Sequence, residues 1–142
     1  MLTPEATRAL FEKRHIYWKT HDAAALASDH AEECIVESPL GGVVRGRSNI
    51  ESIYRSWFQA FPDTEMDIHE LVIEANKVAL VVSIRGTHVG EFCGLSSTGR
   101  AFKIDMVCAY TLEESQIVYE RRIYDFTGVL LQLGVLKAKP GF

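Results

Sequence analysis

A chain of 142 residues, 47% hydrophobic and 24% charged with a net charge of -4, has the size and composition of one globular domain spanning residues 1-142. The absence of a dense Lys/Arg cluster excludes a nucleic-acid footprint, and no apolar run is long enough to span a membrane. Charges interrupt the N-terminal stretch where a signal peptide would be apolar. Three widely spaced cysteines, Cys34, Cys93 and Cys108, form no C-x-x-C unit. The expectation is a cytoplasmic protein with buried, reduced thiols.

Thr3-Pro4-Glu5 opens a helix, with a capping hydroxyl followed by proline at the first turn. Leu10, Phe11, Ile16, Tyr17 and Trp18 carry a rough helical stripe to about Thr20. "HDAAALASDHA" predicts a second helix with Asp22 near its start. "CIVES" is a short β run closed by Pro39 and the turn "LGG". In "GRSNIESIYRSWFQAF", Ile50, Ile53, Tyr54, Trp57, Phe58 and Phe61 recur at helical spacing, and Pro62 ends the helix.

The rest predicts antiparallel strands at about 64-74, 77-92, 100-112 and 116-127. They are separated by the turn-like segments "EAN", "GLSSTG" and "EES". A short helix, "GVLLQL", stops at Gly134. Helices first and long strands later predict an α+β fold, with helices packed on one face of a curved antiparallel sheet. Such a sheet encloses a concave apolar space suited to a small molecule.

Few chemical motifs are present. The histidines His15, His21, His30, His69 and His88 form neither H-x-H nor H-E-x-x-H, and no nucleophile elbow or phosphate loop occurs. Gly41, Gly42 and Gly46 are turn residues. What remains is polar residues within strands, where alternate side chains share a face. Ser83, Arg85 and Thr87 share one face of the second long strand; Leu80, Val82, Ile84 and His88 share the other. The simplest assignment makes the first face solvent and the second core. Lys103 and Asp105 oppose Phe102, Ile104, Met106 and Tyr110. Arg121, Ile123 and Asp125 oppose Glu120, Arg122 and Tyr124, so neither face of the last strand is cleanly polar. Trp18, Tyr54, Trp57 and Phe58 are core aromatics that become pocket walls if the sheet curves away from them.

Gly86-Thr87-His88, Gly90, Phe92, Gly94, Thr98-Gly99-Arg100, Tyr124-Asp125 and Gln132-Leu133-Gly134 together resemble the SnoaL-like polyketide cyclase (ester cyclase-like) family. "YWKTHDAAAL", the P-x-G-G turn, "GRSNI" and "AFPD" extend the resemblance over nearly the whole chain. It implies the cone-shaped, cystatin-like α+β fold shared with nuclear transport factor two (NTF2-like), ketosteroid isomerase, scytalone dehydratase and limonene epoxide hydrolase. It also implies cyclase, isomerase or lyase chemistry on a hydrophobic carbonyl compound, without metal or organic cofactor.

By that motif Asp125 is the acid/base, and Arg85, His88 and Asp105 are its expected catalytic companions. Trp18, Tyr54, Trp57, Phe58, Thr87, Val107, Ala109 and Ile123 are the expected substrate contacts. A carboxylate walled by aromatics would titrate high, and Arg85 would oppose that shift or stabilise an oxyanion. The epoxide-hydrolase pattern is matched at Arg85 and Asp125, but Thr87 stands where its first Asp belongs. A two-residue hairpin loop at "LEESQI" would set Asp105 and Asp125 on opposite faces; a β-bulge would bring them together. A non-catalytic ligand-binding module of the same fold and a dimeric assembly module are the other readings. The homodimer is expected through the sheet, at Leu80, Val82 and Ile84 with Ile104, Met106 and Tyr110.

Overall fold

The computed structural model describes residues 1-138. Helix α1, Pro4–Thr20, starts where the Thr3 hydroxyl accepts from the Ala6 amide and stops at His21, whose φ of 56° turns the chain left-handed. Asp22 caps α2, Ala23–Ser28. Strand β1, His30–Ser38, pairs antiparallel with β2, Gly42–Arg45. Helix α3, Arg47–Ala60, follows Gly46, whose φ of 91° suits glycine. It buries Ile50, Tyr54 and Phe58, spaced four apart on one stripe. Strands β3 Glu65–Glu74, β4 Lys77–Thr87, β5 Ala101–Glu113 and β6 Gln116–Tyr124 complete the sheet. Helix α4, Phe126–Gln132, closes one end.

The sheet is curved and unclosed, with strand order β2-β1-β6-β5-β4-β3. The α+β cone expected from the sequence is therefore present. Several details differ from that expectation: β1 already begins at His30, inside the segment expected as the second helix, and β4 and β6 end at Thr87 and Tyr124, short of 92 and 127. Strand β2 was not expected, because its Val43-Val44 pair is too short to show alternation. The β1–β6 pair is parallel, joining the N-terminal part to the end of the meander; all other pairs are antiparallel.

Burial alternates strictly along β5: Phe102, Ile104, Met106, Cys108, Tyr110 and Leu112 are buried, whereas Ala101, Lys103, Asp105 and Val107 are exposed. Its buried face joins Val78, Leu80, Val82 and Ile84 of β4 and Phe11 of α1 in the larger apolar cluster. Leu80, Val82, Ile84, Ile104, Met106 and Tyr110 are thus committed to the interior. A dimer made through the sheet would use its opposite, outer face. Among the described residues no helix is long and apolar enough to cross a membrane.

One irregularity sets which side chains of β6 face inward. The β5–β6 hairpin pairs Glu113 with Gln116, a two-residue loop, and then shifts register between Thr111 and Leu112. Val118 is the extra residue. Without it Glu120 would oppose Ala109 on the outer face. With it Glu120 opposes Tyr110, Arg122 opposes Cys108 and Tyr124 opposes Met106, all on the inner face.

Candidate functional site

A cavity of about 760 Å³ opens between α1, α3 and the inner face of the sheet. Its walls include Trp18 and Trp57 from the helices and Met66, Ile84, Ile104 and Met106 from the strands. Exposed Gly41, Ser52, Ser56, Glu91 and Cys93 rim its mouth, with Phe92 buried just behind them. Phe92 packs edge-on against Trp57 and Phe61, with ring centroids 5.6 and 5.0 Å apart.

The polar groups gather at one place. Tyr54, Glu120 and Arg122 line the cavity, and Arg14 and His30 stand behind them, buried. The Tyr54 hydroxyl accepts from Arg14 Nη2 and from Arg122 Nη2, each at 3.1 Å. His30 Nε2 lies 3.3 Å from the same oxygen and 3.6 Å from Glu120 Oε1. Arg122 Nε donates to Glu120 Oε2 at 2.7 Å. Arg14 Nη1 donates to the Leu26 carbonyl at 2.9 Å and to Asp29 Oδ2 at 3.2 Å. Glu120 Oε1 has no hydrogen-bond partner among the described residues.

Charge is balanced within this cluster, two guanidinium groups against Asp29 and Glu120. Burial pushes the Glu120 carboxyl up, but the charge and hydrogen bond of Arg122, with the charge of Arg14 behind it, hold the group below the usual range. Burial, helped by the positive charges of Arg14, Arg122 and Arg47, lowers His30 to about 3 against the pull of Glu120. Burial raises the Tyr54 phenol, although Arg122 and Arg14 work against it. At neutral pH the site therefore holds an ionised carboxylate, a neutral imidazole and a protonated phenol.

Trp18, Tyr54 and Trp57, expected as pocket walls, line the cavity. Phe58 packs behind Trp18 instead, at 5.4 Å, with His21 stacked on it at 4.8 Å. The residues expected to do the chemistry lie elsewhere. Asp125 stands one residue beyond the end of β6, and its Oδ1 accepts from the Gly128 amide at 2.9 Å, capping α4. Arg85 pairs with Glu65 and Asp67 on the outer face. Asp105 accepts from Ser83 Oγ at 2.6 Å, and Ser83 Oγ in turn contacts His69 Nε2 at 2.6 Å. Thr87 is held by Asp63 through its amide and its hydroxyl, both at 2.7 Å. Val107, Ala109 and Ile123 share the outer face. The bulge at Val118 does give Asp105 and Asp125 the same parity, as one branch of the sequence reading required, but the shared side is the one away from the cavity.

His88 is buried, and its Nδ1 accepts from the Thr98 amide at 3.2 Å and contacts the Thr98 hydroxyl at 3.0 Å. It ties both ends of the 88-100 strap that carries Glu91, Phe92 and Cys93 to the mouth. Of the three cysteines, Cys34 and Cys108 are buried and Cys93 is exposed, correcting the expectation that all three are interior.

Sequence reasoning missed Arg14, His30, Glu120 and Arg122 as a site. One signal was available: Arg14 falls four residues after Leu10 and four before Trp18, a charge on the apolar stripe of α1. Glu120 and Arg122 gave none, because the bulge that turns them inward leaves no mark in residue type.

Residues 11–133 match the family model of the SnoaL-like polyketide cyclases. Among solved structures, AclR of Streptomyces galilaeus, a candidate hydroxylase, superimposes with a TM-score of 0.83 at 21% identity, covering 97% of this chain and 87% of that one. TsrD of Streptomyces laurentii gives 0.83 at 23%, covering 96% and 100%. IdmH of Streptomyces antibioticus, a candidate polyketide cyclase, gives 0.75 at 24%, covering 90% and 98%. These identities establish a shared fold. No curated protein matches the chain.

Proposed function

The chain belongs to the SnoaL-like polyketide cyclase family, and from that premise we propose that it catalyses proton abstraction next to a carbonyl, as in an intramolecular aldol-type ring closure. The observation that carries this reading is the buried polar cluster on the cavity wall: an ionised carboxylate beside a phenol loaded with two guanidinium donors. The Glu120 carboxylate takes the proton, while Tyr54 and Arg122 donate to the oxygen on which charge develops.

Guanidinium neighbours keep Glu120 ionised at the cost of basicity, so the matching substrate has an acidified C–H, flanked by two carbonyl groups. The apolar walls favour a hydrophobic body on that substrate. The reaction needs only a base and donors, all supplied by side chains. A second reading, a binding module without turnover, draws support from the Glu120–Arg122 pair, which already compensates the carboxylate.

Deuterium exchange at the activated carbon of an aryl β-keto ester, followed by proton NMR in D2O, separates the two readings. Catalysed exchange that falls by roughly 10²- to 10⁴-fold in Glu120→Gln supports the enzyme. Exchange at the uncatalysed rate with the ester bound supports the binding module. We also propose that the homodimer expected from the sequence forms on the outer sheet face, where Val72, Val107 and Ile123 are exposed.

A further inference from the structure

The reach of α1 into the site has a consequence for the direction of one hydrogen. A phenol oxygen carries one hydrogen and accepts with two lone pairs. At Tyr54 both lone pairs are engaged, one by Arg14 Nη2 and one by Arg122 Nη2. The third neighbour, His30 Nε2 at 3.3 Å, could accept the hydroxyl hydrogen or carry a hydrogen of its own. His30 Nδ1 is buried without a partner. A proton on Nδ1 would have no acceptor, whereas one on Nε2 faces the Glu120 carboxylate 3.6 Å away. The proton therefore sits on Nε2, directed at the Glu120 carboxylate. With the Nε2 hydrogen turned to Glu120, none of these three neighbours accepts the Tyr54 hydrogen, which is left to the cavity.

We infer that Arg14 is a positioning residue, one that aims the Tyr54 hydroxyl at the ligand without touching the ligand itself. The inference rests on the reading of Tyr54 as the donor to a substrate carbonyl. Arg14 is only 3% exposed, and the Leu26 carbonyl and Asp29 hold its other nitrogen, so the guanidinium cannot swing away from the phenol. It does two things at once. It fills one side of the phenol oxygen, and it occupies the two acceptors on that side. Without it, the Leu26 carbonyl and the Asp29 carboxylate become available, and the hydroxyl hydrogen can turn inward toward them.

The test uses 2-acetylnaphthalene labelled with ¹³C at the carbonyl, because the shift of that carbon moves downfield when its oxygen accepts a hydrogen bond. Arg14→Lys keeps a cation for Asp29 but loses the fork. The pair Arg14→Met with Asp29→Asn removes both charges together, so that no buried carboxylate is stranded. The bound ketone is expected downfield in the wild type and upfield in Tyr54→Phe. In both Arg14 variants it is expected to move in the Tyr54→Phe direction, with affinity reduced about three- to tenfold. A purely structural Arg14 would change how much ketone is bound, not the shift of the bound ketone. A shift unchanged in the Arg14 variants but moved by Tyr54→Phe overturns the positioning role and leaves the reading of Tyr54 intact. A shift unchanged in Tyr54→Phe overturns that reading and the inference with it.

Discussion

His30 shows how strongly the buried cluster controls a single residue. Its conjugate acid has a pKa lowered from an ordinary 6.5 to about 3, burial being the largest cause. The unfolded chain takes up that proton below pH 6.5 while the folded chain does not. Stability is therefore complete above that value and is lost as pH falls through the interval down to about 3. The slope from one such proton is about 1.4 kcal/mol per pH unit. Glu120, whose folded pKa is also depressed, adds to the loss at the acid end. Urea unfolding of His30→Gln between pH 6 and pH 4 should lack that share of the slope. A slope equal to wild type would show that His30 titrates normally in the fold.

The element that matters most to access is the strap over residues 88-100. Val89 and Gly90 amides both donate to the Ala60 carbonyl at the end of α3, at 2.9 and 3.1 Å. Gly90 lies so close to α3 that an added Cβ would stand 2.4 Å from the Gln59 carbonyl oxygen. Since that oxygen is backbone, it cannot step aside, and Gly90→Ala must displace the strap and pull Phe92 from its aromatic neighbours. The expected cost is roughly 1–3 kcal/mol. Limited proteolysis should cut the variant within the strap while the wild type resists. Equal resistance would mean that the strap is not anchored here.

Elements were legible to very different degrees. Helices α1 and α3 and the four long strands follow from period and punctuation: Thr3-Pro4 starts one helix and Pro62 ends another. Strand β2 and the parallel β1–β6 pairing were not legible, because they depend on partners distant in sequence. The site was legible as aromatic walls and illegible as chemistry. Asp125 looked like a carboxylate in an apolar run, the pattern of a functional charge. In the fold it caps α4, and a cap needs the same residue type at a strand-to-helix junction. Glu120 and Arg122 face inward only because Val118 is bulged, a register event that a plain alternation count misses.

At the scale of the whole molecule, one face of the sheet is spent on the cavity and the other is left outward. The outer face carries the apolar side chains of Val72, Val107 and Ile123 among ion pairs such as Arg85 with Glu65 and Asp67. Sedimentation should give a dimer at micromolar concentration, and Val107→Glu should shift it toward monomer, since two copies would place like charges against each other across a two-fold axis. A wild-type monomer under those conditions would contradict the proposal.

The division between the two faces also defines the central test. Deuterium exchange of the aryl β-keto ester should be measured for two carboxylate-to-amide variants side by side, Glu120→Gln in the cavity and Asp125→Asn at the α4 cap. Asparagine still caps a helix, so the second change leaves the fold in place. The assignment of Glu120 as the base predicts that Glu120→Gln reduces exchange by roughly 10²-fold or more and that Asp125→Asn keeps the wild-type rate. Exchange lost in Asp125→Asn and retained in Glu120→Gln would contradict it.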